Sequence, residues 1–132
     1  MAGKYSRDKG ANYEREISKL LSKEFGVDVR RTPMSGGFHL DFAGDVFVAG
    51  SKPSILRRFI IDPKRWARFD RTLFEQLEAL RAQAKEQTAC QIWRFDHMDE
   101  AYAVFNLRDI IKLLKEFDAC HQYIAEINQT KP

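Results

Sequence analysis

Apolar side chains recur at helical spacing early in the chain: Tyr13, Ile17, Leu20, Leu21 and Phe25 mark one face, and Gly26 follows as a C-terminal cap. The pattern predicts a helix over residues 12–25 after a polar opening. Residues 27–31 alternate as a half-buried strand, and Pro33-Met34-Ser35-Gly36-Gly37 breaks it into a loop. Residues 45–48 read as a second strand and residues 55–62 as a third, separated by the turn chemistry of Ala49-Gly50-Ser51-Lys52-Pro53. Leu73, Phe74, Leu77, Leu80 and Ala84 mark a second helix over residues 71–86, and strands follow at 89–95 and 101–105 around a polar turn at 96–99. A last stripe, Leu107, Ile110, Ile111, Leu114 and Phe117, is expected to face the core rather than a partner. A loosely ordered tail, 119–132, comes after it.

The order helix, three strands, helix, strand (αβββαβ) predicts an α/β fold: a single domain over residues 1–132, core 9–118, with a mixed central β-sheet flanked by helices. Length agrees, since 132 residues with 44% hydrophobic content can bury a core without disulfide or metal staples. No apolar run reaches the roughly 18–20 residues of a membrane-spanning helix, and the opening shows no secretory pattern, so a cytoplasmic protein is expected. Cys90 and Cys120, 30 positions apart, form no zinc signature and no disulfide framework and read as reduced thiols. His39, His97 and His121 are scattered without metal-ligand spacing. Charge adds a partner: residues 1–71 carry 15 Lys/Arg against 9 Asp/Glu, a net +6, whereas residues 72–132 carry 7 against 10, a net −3. A basic half suggests a polyanion.

Candidate chemistry centres on Asp62-Pro63-Lys64 at the end of the third expected strand, where alternation projects Asp62 and Lys64 to one side and Pro63 to the other. Asp45 opens the neighbouring strand, so a hairpin brings its carboxylate alongside. Two hard oxygen ligands on adjacent strands suit Mg²⁺, with positions left for water and phosphate oxygens, and Mn²⁺ accepts the same donors. Lys64 is then placed to hold or deprotonate the attacking water or to neutralise the phosphate, and Glu14 on the first helix is a third acidic candidate. The same residues also fit a plain salt bridge of Asp62 with Lys64 or Arg65. Between Lys52 and Arg71 lie seven basic residues (Lys52, Arg57, Arg58, Lys64, Arg65, Arg68 and Arg71) against Asp62 and Asp70, with Trp66 and Phe69 interleaved. Such density neutralises phosphates with little sequence preference. Trp66 is open either to stacking on an unpaired base or to packing under the second helix. Arg30 and Arg31 lead toward Ser35-Gly36-Gly37, whose glycines let backbone amides approach a phosphate.

These motifs resemble the PD-(D/E)xK nuclease superfamily and, within it, the Holliday-junction resolvases of archaea and phages. The resemblance rests on Lys9-Gly10-Ala11-Asn12-Tyr13-Glu14-Arg15-Glu16, on Arg30 to Gly37, on Gly44-Asp45-Val46, on Asp62-Pro63-Lys64 and on Gln76, and it covers residues 9–86. It implies a restriction-endonuclease-like fold and a Mg²⁺-dependent endodeoxyribonuclease in which Glu14, Asp45 and Asp62 arrange metal and water and Lys64 assists. Arg15, Arg30, Arg31, Ser35, Gly36, Arg65 and Arg68 are then the DNA-binding set. It further implies a homodimer that nicks a four-way junction on two strands, leaving 5′-phosphate and 3′-hydroxyl ends, in a bacterial, archaeal or phage-infected cell. Asp62 stands where most members carry Glu, and Pro63 removes an amide that a central strand needs, which predicts a strand end or bulge there. Asp41 is the alternative to Asp45. The rival readings are a nuclease acting on duplex or flaps, and a catalytically silent fold that only binds DNA.

Overall fold

Five strands lie side by side in chain order: β1 (Asp28–Arg31), β2 (Val46–Ala49), β3 (Phe59–Trp66), β4 (Thr88–Phe95) and β5 (Tyr102–Val104). The structure is a computed structural model, and it describes residues 2–32 and 44–130. The pairs β1/β2, β2/β3 and β4/β5 are antiparallel, and β3/β4 is parallel. A parallel pair needs a crossover, which helix α2 (Thr72–Gln83) supplies. The mixed sheet flanked by helices matches the expected α/β architecture and is compatible with a restriction-endonuclease-like fold. Ser35, Gly36, Gly37, His39 and Asp41 lie outside the described residues. Among the described residues, no helix is long and apolar enough to cross a membrane.

Alternation along β3 divides the core in two. Ile61 joins Val27, Val29, Val46 and Leu56 beneath helix α1 (Ala2–Phe25), while Ile60 joins Leu77, Leu80 and Ala89 beneath α2. Asp62 and Lys64 follow Ile60 in step and Pro63 follows Ile61, which is the division of faces expected from the sequence. Gly26 caps α1 with φ +63°, its amide donating to the Ser22 carbonyl at 2.9 Å. The Ser22 hydroxyl then accepts the Val29 amide at 2.9 Å and ties the helix to β1.

Three elements depart from expectation. Helix α1 starts at Ala2, ten residues before the predicted start, because its first turns carry no apolar stripe to announce them. One tie for them is polar: Lys9 Nζ meets Asp96 Oδ1 at 2.5 Å. The third strand is not 55–62. Ser54 accepts the Leu56 amide with its hydroxyl at 3.2 Å and starts a 3-10 turn over Ile55–Arg58, which delays β3 to Phe59. Pro63 therefore sits inside a strand, not at its end. Ile61 points its carbonyl toward β2, where it accepts the Asp45 amide at 3.0 Å, so the proline ring nitrogen two residues on faces that same side. Pairing with β2 has stopped there, at Val46 opposite Ile61, while β4 pairs along the whole of β3. Among the described residues, no ladder bond is lost. The last helix, α3 (Leu107–Thr130), also continues through the segment expected to be a loose tail.

Gly44 sets how closely β2 approaches β3. Its φ is +82°, and a Cβ there would stand 2.8 Å from the Ile61 carbonyl oxygen and 2.9 Å from Ile60 Cγ2. Gly44→Ala is expected to destabilise the fold by about 2 kcal/mol or more, through left-handed backbone strain plus the forced separation of the strands. Denaturant unfolding checks this, and a change within about 0.5 kcal/mol of zero would contradict the close approach.

Candidate active site

Strand geometry brings the acidic pair together. Asp45 immediately precedes β2, and its backbone N–H is shared between the Ile61 carbonyl at 3.0 Å and the Asp62 Oδ1 at 2.7 Å. Lys64, two positions beyond Asp62 on the same face, places Nζ 3.8 Å from Asp45 Oδ2 and 3.9 Å from Asp62 Oδ2. Two carboxylates thus share one ammonium. Glu14 comes from α1, anchored on either side by the buried Tyr13 and Ile17, and Arg31 Nε donates to its Oε2 at 3.1 Å. Glu14, Asp45 and Lys64 line one open groove of roughly 670 Å³. Asp45 and Asp62 also line a second hollow on the α2 side together with Gln76.

The electrostatics of this cluster are unfavourable to three free carboxylates. Burial first, and the Asp45 charge second, push the Asp62 carboxyl up from 3.8 to about 6; Lys64 and the Asp45 amide only partly oppose them. Glu14 is raised by burial and then by Asp45, against the Arg31 hydrogen bond. Among the described residues, no three His, Cys, Asp or Glu side chains stand close enough to hold a metal ion as they lie. The donor chemistry nevertheless fits a hard divalent cation: Asp45 and Asp62 already converge, their proximity is electrostatically costly, and a cation between them relieves that repulsion.

The remaining expected site residues separate into engaged and exposed groups. Arg65 donates to Asp96 Oδ1 at 2.6 Å and to the Trp66 and Arg94 carbonyls at 3.3 Å. Arg30 pairs with Asp28, Arg15 donates to Asn12, and Arg31 is held by Glu14. Arg68 is exposed and lines the groove. Cys90 is buried, as a core thiol should be, and Cys120 is exposed. His97 and His121 are exposed.

Several neighbours of the site were not singled out from sequence. Gln91 stands in register beside Asp62, is fully buried, and receives Trp93 Nε1 at 2.9 Å, while its own Nε2 has no hydrogen-bond partner among the described residues. Trp93 stands beside Lys64 and packs against Phe69 and Phe74 at ring separations of 5.8 and 5.6 Å. Register between parallel strands creates these neighbours, and one sequence carries no local signal of it. Asp96 could have been suspected only from its place at the end of an expected strand.

Folding raises the Asp62 pKa, so its ionised form costs stability once pH exceeds about 4, and the cost grows until pH passes about 6. Asp62→Asn keeps an oxygen to accept the Asp45 amide and removes the charge. Without divalent metal, this variant is expected to be more stable than the parent at pH 8, by on the order of 2 kcal/mol, with the gain vanishing toward pH 4. Paired thermal melts in EDTA across that range measure it; equal stability at pH 8 would contradict the buried, repelled carboxylate.

A family model described as "Phage putative PDDEXK endonuclease" matches residues 5–82, a span that contains Glu14, Asp45, Asp62, Lys64 and Gln76. No curated protein and no solved structure gives a match. The match covers more than half of the chain, from α1 through the acidic pair almost to the end of α2. The chain belongs to this phage family of PDDEXK endonucleases, part of the PD-(D/E)xK superfamily, whose substrate is DNA and whose members generally use divalent metal ions.

Proposed function

We propose that this endonuclease is a Holliday-junction resolvase, nicking four-way DNA junctions symmetrically as a homodimer in the cytoplasm of a phage-infected cell, with Mg²⁺ or Mn²⁺ as its metal. The observation that carries the catalytic part is the convergence of Asp45, Asp62 and Lys64 within 4 Å where β2 and β3 part. Asp45 and Asp62, with Glu14 as the third acidic group, are the residues that would hold the ion. When bound, such an ion supplies Lewis-acid polarisation of the phosphate and a more acidic water as nucleophile.

The chain's own groups do the positioning. The Asp45 amide fixes the Asp62 carboxylate, and Arg31 restrains Glu14 at the groove wall. Lys64 balances the paired carboxylates and is near enough to stabilise negative charge on a phosphate entering the groove. Arg68 lines that groove and supplies sequence-independent attraction to the backbone, beside the exposed Arg71.

Support for a branched substrate comes from the aromatic group beside Lys64. Phe69 and Phe74 are half exposed, stack edge-on at 5.6 Å, and rest on Trp93. Their free faces offer stacking to bases that have left the duplex, as bases at a branch point do. Trp66, open from its sequence to stacking or to packing, lines the groove itself. A single chain carries one such site, so two symmetric nicks call for two chains.

The test is cleavage of a labelled four-way junction beside a linear duplex of the same sequence, with Mg²⁺ and with EDTA. Paired, metal-dependent nicks near the branch are expected. Asp45→Asn is expected to lower the rate about a thousandfold while leaving junction binding intact, because a lost ligand removes several kcal/mol of transition-state stabilisation. Phe69→Ala is expected to reduce junction cleavage about tenfold, the equivalent of one lost base stack. Equal cutting of duplex and junction would replace the resolvase by a general endonuclease; tight binding without cleavage in either metal would leave a silent DNA-binding fold.

A further inference from the structure

Although Glu116 still meets Arg58 of the body, every residue of α3 from Leu114 to Thr130 is exposed. Its apolar residues nevertheless keep a seven-residue repeat. Ile110, Phe117 and Ile124 form one series, and Leu113, Cys120 and Ile127 form the other. Alternate steps of three and four residues suit the seam of paired helices. At its start the seam is covered, for Leu113 is buried where α3 meets β4. Farther along, nothing among the described residues covers it. A 17-residue helical arm is marginal in water by itself, and helices of this kind gain their stability from a packed face.

We propose that the second half of α3 pairs antiparallel with the same segment of a second copy of this chain. The occupant follows from the repeat, since a seam of this period is complementary to another of the same period, and the chain carries one that is free. The orientation follows from the body. The sheet lies on the seam side of the helix at Leu113, so a parallel partner would bring its own body into the same space. An antiparallel partner puts the two bodies at opposite ends. With the two-fold axis near Gln122, Phe117 faces the partner's Ile127 and Cys120 faces the partner's Ile124, giving four closed layers.

Exposure of Leu114, Phe117, Tyr123, Ile124 and Ile127 ranges from 39% to 64%, enough to bury roughly 500 Å² per copy. The total of about 1,000 Å² meets the lower limit for a specific interface and suits a dimer of micromolar affinity. This inference gives the homodimer of the proposed reading a place. Its test needs no DNA, so its failure and the failure of the nuclease reading remain distinguishable.

Sedimentation of the full chain at about 50 μM, well above a micromolar dissociation constant, is expected to show a dimer. Ile124→Lys and Phe117→Glu each place a charge in the seam and are expected to weaken the dimer at least a hundredfold, leaving monomers. Both positions are exposed in the monomer, so these variants retain the folded body, which circular dichroism and thermal melting check. Maleimide labelling gives a second readout. Cys90 is buried, so Cys120 is the reactive thiol, and it is expected to react at least tenfold more slowly in the parent than in Ile124→Lys. For orientation, Leu114→Cys mixed with Asn128→Cys, both in Cys120→Ser, is expected to link through a bis-maleimide about 10 Å long, the spacing of packed helices. A monomeric parent, a dimer that survives Ile124→Lys, equal Cys120 reactivity in both proteins, or linkage of Leu114→Cys to itself would overturn the proposal.

Discussion

The candidate site depends on one backbone amide. The Asp45 N–H reaches both the Ile61 carbonyl and the Asp62 carboxylate, and so couples the end of the β2/β3 pairing to the acidic pair. Gly44 makes that contact sterically feasible, because a side chain there would collide with the Ile61 backbone. On the far side, β3 stays paired with β4 through all eight of its residues. The pairing of β2 with β3 is confined to Val46 opposite Ile61, next to the carboxylates. Pro63 belongs to this arrangement: it lacks a donor on the side where, among the described residues, pairing with β2 has ended, and it costs the described pairing nothing.

The site is also a stability liability. A carboxylate that burial and a like charge push up to about 6 is held in place by covalent geometry and packing against its own electrostatic preference. Lys64 moderates the repulsion from almost equal distances to both partners. A cation bound between Asp45 and Asp62 meets groups already convergent, so less ordering remains to be done on binding. Glu14 is the looser member. Arg31 holds its Oε2 at the groove wall, and as it lies it does not stand close enough to both Asp45 and Asp62 to share an ion with them.

How much of this was legible in the sequence depends on how local the cause is. The stripe from Tyr13 to Phe25, the Gly26 cap, α2, β4 and β5 were readable because each is written in the period or turn chemistry of its own residues. The pairing of Asp62 with Lys64 followed from alternation alone. The first turns of α1 were not readable, since they lack an apolar face. The delayed start of β3 turns on one serine hydroxyl, and the tolerance of Pro63 turns on where a neighbouring strand stops. The stripe of α3 was visible as far as Phe117. Judged as a core face, it gave no reason to extend the helix; judged as a seven-residue repeat, it continues to Ile127.

Charge shows most clearly how sequence and space differ. The basic first half and acidic second half suggested a polyanion bound by one side of the molecule, yet Lys9 and Arg65 both meet Asp96, and Arg58 meets Glu116. Those contacts join the halves and neutralise part of the asymmetry. The density of arginines between Lys52 and Arg71 is likewise partly structural, because Arg57 donates to the Val48, Gly50 and Lys52 carbonyls and fastens the turn after β2. An arginine committed to carbonyls or to a carboxylate has less to give a phosphate than one projecting into solvent. DNA attraction therefore falls more heavily on groups such as Arg68 and Arg71, on the loop that joins the groove to the exposed aromatic pair. Position in the fold, more than the number of basic residues, decides which of them can meet a nucleic acid beside Asp45, Asp62 and Lys64.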